Sequence, residues 1–137
     1  MADIIVTATS VLPGTGTLIQ GTLGATVTAG QIVYLNSTTY SLALSDTAAH
    51  AAWSGVALNG GASGQPVQIQ TTGTYTAGGT VSIGKIYVVS ATAGGVRPVD
   101  DIAGGEFISV FGIGTSATVI QMIDVRNSGV AAAAAVT

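Results

Sequence analysis

His50 is the single histidine of the chain, and Asp46 stands four residues before it. Residues four apart face each other on a helix, and Ser45–Ala52 has a Ser/Asp start followed by alanines. The segment is therefore expected to form one or two helical turns that bring carboxylate to imidazole, or else a loop. An aspartate–histidine pair is the base half of a Ser-His-Asp triad, so a hydrolase built on this chain would have to be built around His50. The plainer reading is a loop histidine beside a capping aspartate. One histidine and no cysteine exclude a multi-histidine metal site, a thiolate site and a thiol nucleophile. Gly61-Ala62-Ser63-Gly64 lacks the spacing of a nucleophile elbow and reads as a turn.

Asp100-Asp101 is the densest carboxylate cluster, with Glu106 the nearest further acid. An Asp-rich loop with backbone carbonyls could hold a weak calcium ion, but no EF-type spacing is present, and turn-forming or inter-subunit aspartates are the reading preferred here. Arg97, just before Pro98, is expected to pair with one of the aspartates Asp100, Asp101 or Asp46, which would fix a loop geometry more than it adds stability. Pro13-Gly14-Thr15-Gly16 and Gly60–Gly64 are glycine-rich, yet no Gly-Lys-Ser/Thr follows, so neither reads as a phosphate cradle. Asn36-Ser37-Thr38 matches a glycosylation sequon and reads as a hairpin turn. Of the aromatics, Trp53, Tyr34, Tyr40, Tyr87, Phe107 and Phe111 sit among strand aliphatics and are expected in the core. Tyr75, between threonines, is the candidate for an exposed sugar-binding platform. No cofactor is expected.

The elements that position these residues are strands. In 137 residues, enough for one domain, Asp, Glu, Lys and Arg make up 7%, hydrophobic types 47%, and glycine supplies 20 positions. A surface so poor in charge must be covered by Thr, Ser, Gln and backbone, or by neighbouring subunits, which makes assembly the first expectation. Net charge −3 cannot neutralise a row of phosphates, so no nucleic-acid partner is expected. The start Met1-Ala2-Asp3-Ile4-Ile5-Val6 lacks the pattern of a signal peptide. Phe107–Ile123, the longest uncharged apolar stretch, is broken by Gly112, Gly114, Thr115, Ser116 and Thr118. It reads as two strands and a turn, and no membrane partner is expected.

Strands are expected at Asp3–Leu12, Gln31–Asn36, Tyr40–Leu44, Trp53–Leu58, Pro66–Thr72, Thr80–Ile83, Lys85–Ser90, Glu106–Ile113 and Ala117–Val125, with glycine turns between them. Many short strands at close spacing predict an all-β fold, a single small β-barrel or β-sandwich. It carries an internal duplication. Gly30–Asn36 aligns with Gly84–Ser90, and at the same offset Asp46 falls on Asp100 and Trp53 on Phe107. Further on, Gly55-Val56-Ala57-Leu58 resembles Gly112-Ile113-Gly114, and Val67–Gln70 resembles Val119–Met122. The expected organisation is an N-terminal arm with a first strand over 1–27, the barrel or sandwich over 28–126, and a low-complexity tail over 127–137. Both ends are expected to order chiefly against a neighbour.

The runs Thr28–Leu35, Ala48–Leu58, Gly64–Gln70, Lys85–Val96 and Ile113–Ser116 resemble small β domains of tailed-bacteriophage virions, above all head decoration (capsid cement) proteins. The resemblance covers roughly Thr28 to Val125, and its motifs are glycine turns and strand patterns with no catalytic residue to carry over. It implies a non-enzymatic protein, made in the host cytoplasm and located on the capsid exterior, often as a homotrimer. Such a protein bridges neighbouring major capsid protein subunits and stabilises the shell, many weak contacts acting as one. Within that expectation the capsid-contact candidates are Ala2, Asp3, Ile4, Ile5, Val6, Leu12, Pro13 and Gly14, the N-terminal segment and its hinge. The alternative is a tail-tip or fibre domain that binds a host surface glycan through Tyr75 with Tyr40.

Overall fold

The computed structural model describes residues 3–99, 107–123 and 127–131. Branched and aromatic residues between glycine turns give twelve short strands: β1 (Val11–Pro13), β2 (Leu18–Thr22), β3 (Ile32–Asn36), β4 (Thr39–Leu42), β5 (Gly55–Ala57), β6 (Pro66–Gln70), β7 (Thr74–Ala77), β8 (Ile86–Val89), β9 (Val96–Pro98), β10 (Phe107–Gly114), β11 (Val119–Met122) and β12 (Asn127–Ala131). One helical turn, α1 (Ala48–Ala51), interrupts them. All strand pairings are antiparallel and fall into two sheets, a five-stranded one in the order β2-β6-β5-β3-β4 and a seven-stranded one in the order β1-β7-β11-β10-β8-β9 with β12 on β10. The fold is all-β, and its sheets do not close into a barrel.

The duplication is present in the pairing itself. Strands β2–β6 and β7–β11 are two consecutive units with one topology: first strand on last, last on fourth, fourth on second, second on third. Registers agree as well. Val33 faces Gly55 and Ile32 faces Val56 in the first unit; Tyr87 faces Gly112 and Ile86 faces Ile113 in the second. Val56 then faces Gln70, as Ile113 faces Gln121. Gln70 thus corresponds to Gln121, and Ile69 to Ile120. The alignment of Val67–Gln70 with Val119–Met122 is one residue out of register, because the apolar pattern of a strand buried over much of its length is nearly unchanged by such a shift.

Two large clusters and a small one, Val88 under Val99, Ile108 and Val110, make the core. Ile32, Trp53 and Val56 of the first unit pack with Tyr75, Tyr87, Val89, Phe111 and Ile120 of the second. Leu23, Val27, Val33, Ala57, Val67 and Ile69 form the other large one, on the opposite face of the five-stranded sheet. There β2 runs on until Leu23 bridges Tyr40 and the Gly24 amide donates to the Tyr40 carbonyl at 2.8 Å, so the edges of that sheet touch at one point.

Several expected boundaries move. Of Asp3–Leu12, residues 3–7 have no regular secondary structure, Ala8–Ser10 form a 3-10 turn, and ladder pairing starts only at Val11. Residues 3–27 join both sheets: β1 lies on β7, β2 on β6, and Leu23 and Val27 are fully buried. Thr80–Ile83 is not a strand. The Val81 amide goes to the Ala117 carbonyl and that of Ser82 to the Tyr87 hydroxyl, so the segment caps the sheet instead of extending it. The start of the expected tail, Asn127–Ala131, pairs with β10.

Candidate functional site

The N-terminal segment lies along a seam. In the second unit the position equivalent to Tyr40 is Val96, and its carbonyl accepts from the Ile4 amide at 3.0 Å. Three residues on, the Thr7 amide donates to the Gly78 carbonyl at 2.7 Å. The first unit brings its own edges together, whereas in the second the strap of residues 3–7 lies between the end of β7 and the edge of β9. Glycine makes the seat: a Cβ at Gly79 would stand 2.6 Å from Ile4 Cγ2, and one at Gly30 2.6 Å from Val6 Cγ1.

Asp3 anchors the strap. Its Oδ2 accepts from the Ser90 hydroxyl at 2.7 Å, and its Oδ1 lies 3.4 Å from Arg97 Nε. Arg97 also donates to Ser90 Oγ from Nε and Nη2, and Ser90 Oγ accepts from the Thr92 amide at 2.9 Å. Ser90 is fully buried and Asp3 and Arg97 partly so, which makes this a charge-assisted, half-desolvated knot and not a solvated surface pair. Arg97 is thus tied to an aspartate distant in sequence. Asp100, Asp101 and Glu106 lie outside the described residues, as does Ala2.

Three depressions of roughly 330, 380 and 280 Å³ flank the strap. The first is lined by Asp3, Ile4, Ile5, Thr80, Ser82, Tyr87 and Pro98. Of the candidate contact residues, Ile5 and Leu12 offer apolar side chains to solvent, 86% and 57% exposed. Asp3, Ile4 and Val6 are half-buried, Pro13 and Gly14 exposed. The Gly14 amide donates to Gln70 Oε1 at 3.2 Å. That buried glutamine also donates from Nε2 to the carbonyls of Thr72 and Thr74, tying the first unit to the start of the second. A glutamine at the end of an apolar strand is the mark this junction leaves in the sequence.

The Asp46–His50 pair forms as the spacing predicts, with Asp46 Oδ1 2.7 Å from His50 Nδ1. The capping residue is not Asp46 but Thr47, whose hydroxyl accepts from the His50 amide at 3.2 Å. The ring leans on Tyr34, centroids 5.2 Å apart. Among the described residues, no serine or threonine hydroxyl hydrogen-bonds that ring. Among the described residues, no group of three or more His, Cys, Asp or Glu side chains could hold a metal ion, and no helix is long and apolar enough to cross a membrane.

Tyr75 corrects an expectation. It is 2% exposed and packs edge-on to Phe111 at 6.0 Å, because the threonines around it take the outer face of β7 and turn the tyrosine inward. Burial holds its phenol well above the usual tyrosine range. Ser37, with φ 61°, sits in the two-residue turn between β3 and β4, as the sequon's hairpin reading requires.

The outer face of the seven-stranded sheet is charge-free over two cross-strand rows. Leu12, Thr76 and Val119 form one row, Thr74, Gln121, Ile113 and Ile86 the other. Ile86 is 41% exposed. Comparison with protein-family models and with curated proteins finds no match to the chain.

Proposed function

We propose that this chain is a non-enzymatic structural protein of a tailed-phage virion. It binds the outer surface of the assembled capsid and stabilises it by bridging neighbouring major capsid protein subunits, itself held as an oligomer, a homotrimer by the resemblance. The observation that carries the reading is a pair of charge-free rows on the outer face, made of threonine, glutamine and aliphatic side chains. A face of this kind suits broad, permanent contact with another protein better than free solution or a charged ligand. Ile5 and Leu12 extend the exposed apolar surface at the N-terminal segment, the expected capsid contact. The glycan-binding alternative loses its platform with Tyr75 buried.

The test is co-sedimentation of the purified chain with expanded capsid shells of the virus that carries its gene. Deleting residues 1–16 is a poor control, since it removes β1 and the strap. Ile5→Asp and Leu12→Asp change exposed side chains and leave the fold intact. Binding by the natural chain and its loss in these variants is expected. A chain that stays in the supernatant as a monomer overturns the reading, and binding to a glycan array instead revives the alternative.

A further inference from the structure

Asn59 is followed by Gly60, so a side-chain amide stands next to a backbone nitrogen with no Cβ to shield it. The asparagine closes the hairpin between β5 and β6. The last backbone bond there runs from the Leu58 amide to the Gln68 carbonyl at 2.8 Å. Beyond it the side chain takes over from the backbone: Asn59 Oδ1 accepts from the Gln68 amide at 2.7 Å, and Nδ2 donates to the carbonyls of Pro66 and Gly60, each at 3.2 Å. The loop clasped in this way holds down the cap of the core cluster inside the first unit. Val27 and Gly61 exchange both backbone bonds at 2.9 Å, the Leu23 amide donates to the Gln65 carbonyl, and the Gly64 amide donates to the Leu23 carbonyl. Leu23 and Val27 are fully buried, whereas Asn59 and Gly60 are exposed. Among the described residues the Gly60 amide donates to no acceptor.

We propose that Asn59 is a site of spontaneous covalent modification, deamidation through a cyclic imide, which the native clasp slows and which unclasps the loop permanently once it occurs. The Gly60 nitrogen gives its proton to solvent and bonds to Asn59 Cγ, closing a five-membered ring. The Cγ–Nδ2 bond breaks, and the amide leaves as ammonia. Water then opens the imide, at Cγ to leave aspartate or at the backbone carbonyl to leave isoaspartate. The sequence is redox-neutral and consumes only water. In the folded chain the bonds to Gln68 and Pro66 hold Cγ in place, and ring closure has to turn it toward the Gly60 nitrogen. The reaction therefore waits on local opening of the loop.

The product cannot re-form the clasp. A carboxylate only accepts, so one oxygen keeps the Gln68 amide while the other faces the Pro66 and Gly60 carbonyls, two acceptors that have lost their donor. Isoaspartate goes further, because it routes the backbone through the side-chain carbons. Asn36, the comparison within the same chain, precedes Ser37, whose Cβ crowds the attacking nitrogen.

The experiment holds the full chain at mildly alkaline pH, natively and in unfolding urea, and follows the mass of the peptide that contains residues 59 and 60. Conversion of amide to acid is expected at Asn59 in both samples, ahead of Asn36 in urea, and about 10- to 100-fold more slowly in the native chain, where two hydrogen bonds must break first. Equal rates in the two samples overturn the proposal, as does a native chain that keeps its amide well beyond about a hundred urea half-lives. Asn59→Asp makes one product directly. Its amides at Gln68, Gly61 and Val27 are expected to exchange severalfold faster than in the natural chain, while Val88 and Phe111 in the second unit exchange as before. The deamidated fraction of the natural chain, separated by its added charge, gives the same reading should the variant fail to fold. Unchanged exchange at Gln68 overturns the unclasping. None of these outcomes depends on whether the chain binds a capsid.

Discussion

Gly55 and Gly112 occupy one station in the two units. A Cβ on Gly55 would stand 2.7 Å from Ile69 Cγ2 and crowd the Gln70 carbonyl; on Gly112 it would stand 2.7 Å from Ile120 Cγ2 and crowd the Gln121 carbonyl. In both units the fourth strand gives up its side chain so that the fifth can bring a buried isoleucine over it. Backbone oxygen cannot swing aside, so Gly55→Ala and Gly112→Ala are each expected to cost about 1–3 kcal/mol, by overpacking. Urea unfolding of the two variants measures it. A harmless substitution at one site beside a damaging one at the other would show that the stations are not equivalent.

How far the sequence discloses this arrangement depends on the element. Gly30–Asn36 and Gly84–Ser90 align because both begin at a turn glycine and run straight into a buried strand, so the duplication is visible there. Leu18–Thr22 escapes notice because Gly21 interrupts it, and the reason is tertiary: a Cβ at Gly21 would run into the edge of the Tyr40 ring. Val96–Pro98 escapes because proline argues against a strand, yet here it lies on the sheet edge where no donor is needed. The Asp46–His50 contact follows from spacing alone. The Asp3–Arg97–Ser90 knot does not, since its first member lies far from the other two in sequence and local pattern says nothing about which strand edge the strap will find.

Trp53 couples the two units. Its indole N–H donates to the Val110 carbonyl at 2.9 Å and its ring meets Phe111 edge-on at 4.7 Å. Being the single tryptophan, it reports by fluorescence on the contact between units. Fluorescence and far-UV circular dichroism are expected to give coincident denaturation curves, since neither unit keeps its share of the core without the other. Curves that separate would mean that one unit stands alone. Trp53→Phe, which leaves the Val110 carbonyl without its indole donor, is expected to lower stability by about 1–3 kcal/mol.

Gln70 serves three backbone groups at the junction between units, accepting from the Gly14 amide and donating to the carbonyls of Thr72 and Thr74. Leucine fits the volume but none of these bonds. At about 1 kcal/mol for each bond, Gln70→Leu is expected to lose roughly 2–3 kcal/mol. Amide exchange at Gly14 should quicken in the variant, and an unchanged rate would mean that β1 holds that residue without the glutamine.

Tyr75 sets an alkaline limit. Burial raises its folded-state pKa above the value of about 10 for an unfolded tyrosine, so the phenol enters the unfolded chain's titration first. Its contribution is fully present below about pH 10 and is lost as pH climbs toward the raised folded value. The melting temperature is expected to fall above about pH 10, and to fall less steeply in Tyr75→Phe. Identical slopes in the two proteins would place the alkaline sensitivity elsewhere.

The strap should come loose before the sheets do. Its backbone holds the rest of the chain at Ile4 to Val96 and Thr7 to Gly78, Ile4 packs on the core, and Ile5 is almost wholly in solvent, so less apolar burial resists its opening than holds the sheets. Two substitutions reach it by different routes. Asp3→Asn removes the charge that faces Arg97 while keeping a side-chain oxygen for Ser90. Gly79→Ala leaves the charges alone and pushes a methyl group toward Ile4 Cγ2. Both are expected to speed amide exchange at Ile4 and Thr7 severalfold while Val56 and Ile69, in the core of the first unit, exchange at the natural rate. If either variant instead quickens Val56 and Ile69 to the same degree, the strap is part of the cooperative fold, and the seam in the second unit cannot stand open without it.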